Sequence, residues 1–503
     1  MKQRQFLGMM PRRHPANLPE NAAQQALDAD LSRSVLEAFR TDLLVDATVT
    51  PGQVWLTPNG CRTGLPCDAS VVENTIGCGE VFATGVAPYP TRATPENWLV
   101  NFTTRLGLPC PATPPDVAWG PITLTDQGAM PRSFFYAYAN EATREMGPGS
   151  PPSPTTIVNW DTTAVLGSFA LPDPSYRATH IVVFMLQPGL ENMTGTPAGG
   201  EANWFEIGRI PLAQTTFTYS SASTLGPLFQ GFEYGPPPDD LRDMSAWGTD
   251  VLAGLSGDSL VFSEPGVYGA WPDKYRLAFH AKPLRFLAGQ TYGYVLTTGV
   301  PEVITLKHDC SRGGCREIAT LNEKLPLIGM RAAAIFDGAC FYASTEGIVM
   351  LSGPRAKLIS GGLWTQEQWE MLQPQAMVFV AHKGFLYAST QSYAFRVRIP
   401  SGIHEAPTLS DFTELSVRAA SWYRHGAELY YVAPQGGLYH MGRGATKKPY
   451  TYKTRPVDEP GDIVPTVMKV SAEGVDVQVQ VVLGGRAYYT GEALTNQVMS
   501  LPR

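Results

Sequence analysis

Two pairs of adjacent carboxylates, Asp239-Asp240 and Asp458-Glu459, are the residues best placed for acid–base work. Hydrolysing a glycosidic bond takes two carboxyl groups held a set distance apart, one protonated and one ionised. Both pairs fall in Pro/Gly-rich stretches and read as solvated loops. Asp273, beside Trp271 and Pro272, is a third acidic candidate. The Ser-x-Asp-x-Gly-x-Thr-Trp pattern of sialidase blades is absent. Gly254-Leu255-Ser256-Gly257 has the wrong spacing for a nucleophile elbow, whose serine needs a sharp strand-to-helix turn. Gly442–Lys448 (GRGATKK) lacks the GxxxxGK[ST] spacing that cradles phosphates and reads as a basic turn.

Metal chemistry finds no better footing. His14, His180, His280, His308, His382, His404, His425 and His440 are scattered and form no HExxH. No DxDxDG calcium loop occurs. The seven cysteines are Cys61, Cys67, Cys78, Cys110, Cys310, Cys315 and Cys340. Their spacing matches no zinc template. They read as buried free thiols, with a local disulfide or a metal site as the alternatives. The expectation is a chain without catalytic, cofactor-binding or metal-binding residues, and not an enzyme.

The elements that would carry any site are strands. Five segments vary one theme: Gly257–Phe262, Gly289–Gly299, Gly338–Gly347, Gly384–Tyr393 and Gly426–Gly436. Each begins with a turn glycine and continues with alternating apolar and small residues around an aromatic. The starting glycines stand 32, 49, 46 and 42 positions apart. Recurrence on this scale with strand periodicity predicts propeller blades. Residues 133–222 differ. Ser133–Ala139, Thr156–Trp160, Ala164–Phe169, His180–Leu186, Trp204–Arg209 and Phe217–Ser220 suggest an inserted sandwich of fibronectin III or immunoglobulin kind. The predicted fold is all-β: a propeller, an inserted sandwich and an extended N-terminal arm.

The segments divide as follows. Residues 1–40 form an arm with a short helix, Ala22–Leu31, capped by Asn21. Residues 41–132 are a β-rich platform or first blades, with strands Val45–Val49, Val54–Thr57, Glu80–Thr84 and Trp98–Thr103. The sandwich takes 133–234 and the main blades 235–460, interrupted by a helix, Thr365–Leu372. Residues 461–503 are C-terminal strands, among them the strict alternator Val475–Val482, which predicts one buried face.

Composition narrows the partners. Net charge is −7, which argues against gripping nucleic acid by neutralising phosphates. Charged residues are 17%, against about 25% in an average soluble protein. A neutral surface of that kind suits an assembly, since interface cores are depleted of charge. No apolar run reaches membrane-spanning length, and the basic N-terminus lacks the apolar stretch of a signal peptide, so no membrane insertion is expected. Phe6, Leu7, Met9, Met10 and Leu18 surround Arg12 and Arg13 in a proline-broken arm. So many apolar residues there predict docking on a neighbouring subunit.

Several stretches, in order, resemble the tail nozzle, or tail tubular protein B-type, family of short-tailed bacteriophages. They are Phe6–Gln24, Thr125–Arg132, Asn140–Pro154, Gly254–Tyr275, Thr297–Pro301, Cys310–Arg316, Tyr342–Gly347 and Leu363–Pro374. The most specific is Gly254–Tyr275, with Gly257, Phe262-Ser263-Glu264-Pro265, Trp271-Pro272 and Tyr275. The chain is much shorter than larger nozzle proteins of this type. The resemblance implies a structural virion protein of the tail, assembled in the host cytoplasm. It would form a ring, a homohexamer, whose lumen passes genomic DNA at ejection without specific binding. It would meet a tail adaptor or portal-side ring above and tail fibres or a spike below. The alternatives are a head-to-tail adaptor, a receptor- or glycan-binding tail-tip module with Tyr292, Tyr294 and Tyr393 as its aromatic platform, and a polysaccharide hydrolase.

Overall fold

The computed structural model describes residues 6–501 except 32–35, 58–59, 67, 74–78, 123–128, 188–202, 249, 307–315, 401–409, 456–466, 471–476 and 494–495. Among the described residues, six four-stranded antiparallel units follow one another as blades; five are separate sheets, and the fifth in order is the antiparallel part of a seven-stranded sheet that Leu7–Met9, Ala22–Leu27 and Thr451–Thr454 extend. Blade 1 is Ser70–Glu73, Val81–Thr84, Thr91–Ala93 and Thr104–Arg105. Blade 2 is Arg242–Ala246, Leu252–Ser256, Ser259–Phe262 and Leu277–Ala278. Blade 3 is Pro283–Ala288, Tyr292–Thr297, Glu302–Leu306 and Arg316–Thr320. Blade 4 is Ala333–Phe336, Ala339–Ser344, Gly347–Ser352 and Arg355–Leu358. Blade 5 is Val378–His382, Phe385–Ser389, Ala394–Arg398 and Ser410–Glu414. Blade 6 takes Ser421–His425, Glu428–Val432 and Leu438–His440 and completes itself with Leu43–Asp46 from the other end of the chain. A hairpin, Gln53–Thr57 with Gly60–Leu65, sits between blades 6 and 1.

The first strands of neighbouring blades are joined in sequence round the axis. The Met244 amide donates to Ser70 Oγ at 2.8 Å, tying blade 2 to blade 1. Arg242 donates to the Pro283 and Leu284 carbonyls of blade 3 at 2.8 and 2.9 Å. Tyr294 of blade 3 donates its hydroxyl to the Gly338 carbonyl of blade 4 at 2.7 Å. Arg331, just before blade 4, accepts from the Phe379 amide of blade 5 and donates to the Ala420 carbonyl beside blade 6. Ser421 donates to the Gly52 carbonyl at the hairpin, and Arg62 of the hairpin lies 3.7 Å over the Trp98 ring beside blade 1. The chain is a β-propeller whose blades these contacts link one to the next.

Tight turns explain the repeated glycines. Asp337-Gly338 and Lys383-Gly384 both have positive φ at two successive residues, the signature of a two-residue type I′ hairpin. Gly289, Gly338, Gly384 and Gly426 all join the first strand of a blade to the second. Gly257 joins the second to the third. The in-phase glycine of blade 2 is Gly248, 41 residues before Gly289, with φ +70°. The short first interval in the sequence is therefore a slip of one strand.

The sandwich begins at Asp116–Trp119, ahead of the expected boundary at 133, because that strand pairs with Ala164–Gly167. One sheet is Asp116–Trp119, Ala164–Gly167 and Phe217–Tyr219; the other is Glu145–Gly149, Phe134–Asn140, His180–Gln187 and Asn203–Pro211. Phe134–Asn140 is buried at all seven positions. Its pleat sends Phe134, Tyr136 and Tyr138 into the inter-sheet core, and Phe135, Ala137 and Ala139 into a second core with Phe184 and Phe229.

Three expectations are corrected. Ala22–Leu31 is not a helix: Ala22–Leu27 is a strand, pairing with Leu7–Met9 and with Thr451–Thr454. Three fully buried alanines there, Ala22, Ala23 and Ala26, fit a close-packed sheet, so tertiary pairing overrides alanine's helix propensity. Trp98–Thr103 is not a strand: Pro95–Leu99 is a helix, with Thr94 accepting from the Asn97 amide and Pro95 in its first turn. The strand expected at Val45–Val49 lies earlier, at Leu43–Asp46. The second helix, Gln366–Met371, has Thr365 as N-cap, with Gln368 closing the capping box. The C-terminal alternator forms a strand, Gln478–Leu483, whose inner face is only half-buried.

Residues 39–46 run along 438–448 as a clasp. Thr41 and Thr446 bond through backbone and hydroxyl, and the Lys448 amide donates to the Phe39 carbonyl at 2.7 Å. Asp42 accepts from Lys448 Nζ at 2.7 Å, the Gly442 amide at 2.8 Å and the Tyr431 hydroxyl at 3.0 Å. Asp42→Ala would leave three donors without their acceptor. It is expected to lower the stability of the propeller by about 3–5 kcal/mol, read by urea denaturation, because a nearly buried charge pair is broken from one side.

Candidate functional site

The arm that suggested docking elsewhere lies on its own chain. Leu7–Met9 pairs with Ala22–Ala23, and Gly8 lies against the backbone of Asp411 and Phe412, where a Cβ would come within 2.2 Å of the Phe412 nitrogen. Phe6 stacks edge-on to Tyr452 at 5.1 Å. Met9 is buried in the core of blades 4 and 5, and Leu18 is buried with its carbonyl accepting from Arg455 at 3.2 Å. Met10 is half-buried. Arg12 donates to the Gly361 carbonyl, and Gln368 to the Pro11 carbonyl at 2.9 Å; Arg13 is exposed. The burial that the arm's apolar residues require is met within the chain.

The family-like stretch builds the second half of blade 2. Phe262, Trp271 and Tyr275 are buried, and Phe262 stacks on Trp247 at 5.9 Å. Ser263 accepts from the Leu252 amide at 2.9 Å. Glu264-Pro265-Gly266-Val267 forms a turn closed by Val267 N–H to Glu264 at 3.1 Å, with Gly266 at φ +74°. Pro265 thus fixes the first corner of a type II turn. Pro272 precedes the short 3-10 turn Asp273–Tyr275.

The other candidates fall apart in space or into structural roles. Asp240 accepts from Ser256 Oγ and the Gly257 amide, holding a hairpin, while Asp239 pairs with Arg105. Asp273 is exposed. Asp458-Glu459, Cys310–Cys315, Thr125–Gly128, His308 and His404 lie outside the described residues. Gly442–Lys448 is part of the clasp. Tyr294 is fully buried, while Tyr292 and Tyr393 are half-buried and Tyr393 donates to Glu414 at 2.9 Å. Cys110 and Cys340 are free thiols; Cys340 is fully buried, and burial pushes its thiol up. The side chains of Cys61, Cys67, Cys78, Cys310 and Cys315 lie outside the described residues. No group of three or more metal-ligating side chains occurs among the described residues.

What the fold does bring together is charge at two places. The first is the joint between sandwich and propeller. Arg92 of blade 1 is nearly buried and pairs with both Glu80 and Glu145, the latter from the sandwich. Burial pushes the Glu145 carboxyl up, against the pull of Arg92. Arg105 sits over Tyr89 and Tyr176 at 4.8 and 4.5 Å, and Arg177 over Phe102 at 3.8 Å. Gly107 and Gly269 let the two backbones touch: a Cβ on Gly107 would meet the Gly269 carbonyl at 2.3 Å.

The second place is the end of the propeller axis where first and second strands turn. An open cavity of about 610 Å³ is lined there by Gly248, Gln290, Asp337, Gly338 and Arg424, contributed by blades 2, 3, 4 and 6. Lys383 occupies the equivalent turn of blade 5. Beside it, Glu428 binds Arg443 and, at 3.0 Å, His440, which hold its carboxyl down at about 2. His382, nearly buried, is held below its ordinary 6.5 by burial first, then by Lys383 and Arg424. Sequence reasoning missed this mouth. Its signal is Arg424 in the first strand Ser421–His425, which becomes meaningful only once the blades are arranged round an axis.

No protein-family model and no curated protein matches the chain. Among solved structures it is similar to BamB from Moraxella catarrhalis, at 9% identity over 80% of this chain and 96% of that one, with a TM-score of 0.29. It is similar to AztD from Citrobacter koseri at 10% identity over 74% and 96%, with a TM-score of 0.27. A third similar structure is Hsv2 from Kluyvelomyces marxianus, at 10% identity over 51% and 70%, TM-score 0.26. At these values the propeller rests on the chain's own sheets.

Two outcomes follow for the charged residues. Arg92→Ala leaves Glu145 buried without its counter-charge and is expected to cost about 3–5 kcal/mol, measured by chemical denaturation. His382 has a folded pKa below its unfolded value. Its contribution is therefore present above the ordinary 6.5 and is lost as pH falls through that value towards the folded one. His382→Gln should flatten this acid-side fall in a stability–pH profile.

Proposed function

We propose that this chain is a structural subunit of a short-tailed bacteriophage tail, of nozzle or hub type, that assembles as a ring around a DNA-conducting lumen. The order of family-like stretches along the sequence supplies the identity. The observation that carries assembly is an open edge. Leu43, Leu44 and Val45 form the outer strand of blade 6, each about half exposed, with no strand beyond them among the described residues. An apolar edge strand is a template for pairing, and proteins that keep one open usually cover it with a partner. The sandwich adds a second apolar area, with Ile157, Trp160, Val165 and Leu171 exposed.

In this reading the ring is a homohexamer between an adaptor or portal-side ring and the fibres or spike, located in the virion tail. The net charge of −7 suits a lumen along which DNA slides without adhering. The rigid joint at Arg92 and Glu145 holds the sandwich at one angle to the propeller, which an identical repeating subunit requires. The propeller supplies stiffness and the sandwich supplies reach.

Negative-stain imaging of the purified protein, alone and with the tail adaptor, tests the reading. Closed rings with a central hole are expected. Val45→Lys should shift rings to monomers while leaving far-UV circular dichroism unchanged. Monomers of the unaltered protein under both conditions would contradict assembly and turn attention to glycan binding by a tail-tip module.

A further inference from the structure

The axial mouth combines an open cavity with charges that lack partners. Its volume of about 610 Å³ lies in the range of small-molecule sites. Its rim is made of hairpin turns, and at Gly338 and Gly384 a Cβ would meet no atom within 4 Å, so the space beside the turns is unfilled. Arg424 lines it from the first strand of blade 6. Among the described residues the side chains of Arg424 and Lys383 make no hydrogen bond or ion pair. Glu428, on the second strand of the same blade, is already engaged by Arg443 and His440. Elsewhere in the described structure, Arg62, Arg92, Arg105, Arg242 and Arg396 are all held by carbonyls, carboxylates or rings.

An unpaired guanidinium at the mouth of a cavity has a definite chemical complement. Its planar fork takes two oxygens of one phosphate or carboxylate, and a neighbouring ammonium adds to the attraction. Asp337 and Gln290 stand on blades across the mouth and offer acceptors to the remainder of such a molecule. We propose that the axial mouth binds a small oxyanion-bearing molecule, with Arg424 gripping the oxyanion and Asp337 and Gln290 receiving its hydrogen-bond donors. The site belongs to one chain and does not depend on ring assembly, so it stands or falls separately from the tail reading.

His382 supplies an internal reporter. It lies next to Lys383, and both free cations oppose its protonation. An anion seated between them offsets that field, so the imidazole midpoint rises on binding.

Titration calorimetry with inorganic phosphate and, separately, citrate distinguishes the two oxyanion sources. One or the other is expected to bind one-to-one at submillimolar concentration. Arg424→Gln should weaken that binding by about tenfold or more, and Arg424→Lys, which keeps the charge without the fork, by less. Arg209→Gln, whose guanidinium is spent on Glu206 and Glu141 in the sandwich, should leave it within about twofold. Histidine-selective NMR should show the His382 midpoint rise on saturation in the unaltered protein and not in Arg424→Gln. The proposal is overturned if neither anion binds one-to-one, if Arg424→Gln binds as well as the unaltered protein, or if both arginine variants lose binding equally.

Discussion

Everything in this molecule depends on a pairing between two ends of the chain. Leu43–Asp46 becomes the fourth strand of a blade whose other three strands lie almost 400 residues later. A sheet wrapped round an axis exerts no closure of its own; its first and last blades must be held. The clasp does this with backbone bonds at Thr41–Thr446 and Phe39–Lys448 and with Asp42 between three donors. Bringing such distant residues together costs loop entropy, but that cost grows only with the logarithm of length. A handful of well-satisfied hydrogen bonds and the buried Leu438 offset it.

Closure in turn sets what the rest can be. Because Met244 of blade 2 is tied to Ser70 of blade 1, the segment between the two blades can leave and return without separating them. The sandwich is that excursion. Its exit at Arg105–Leu108 and its return before Arg242 meet at Gly107 and Pro236, where a Cβ on Gly107 would come within 3.0 Å of Pro236, and the Arg92–Glu145 pair ties the sandwich to blade 1. The same closure arranges five first-strand turns round one end of the axis, which places Arg424 and Asp337 at a common mouth. Neither the joint nor the mouth exists in any one blade.

This division between local and non-local explains what was legible in the sequence. Strand–turn–strand units were legible because a glycine at positive φ and an alternating pattern are local signals; Gly338, Gly384 and Gly426 all sit where those signals place them. The sandwich was legible for the same reason. The phase slip at Gly257 was not, since the turn between second and third strands uses the same residue types as the turn between first and second. Ala22–Leu27 misled because alanine's helix propensity is local, while its partners, Leu7–Met9 and Thr451–Thr454, are not adjacent to it. The arm's apolar residues rightly signalled burial, but Phe6 and Met9 find it on Tyr452 and on blades 4 and 5. The mouth was illegible because its lining residues come from positions 248 to 424, with no shared motif.

Closure by the clasp is most directly tested by hydrogen exchange followed by mass spectrometry. Residues 39–46 and 438–448 should exchange together, as one cooperative unit with blade 6. Exchange of 39–46 at the rate of a free chain, beside a protected 421–432, would show that the ring is not held shut by its N-terminal strand.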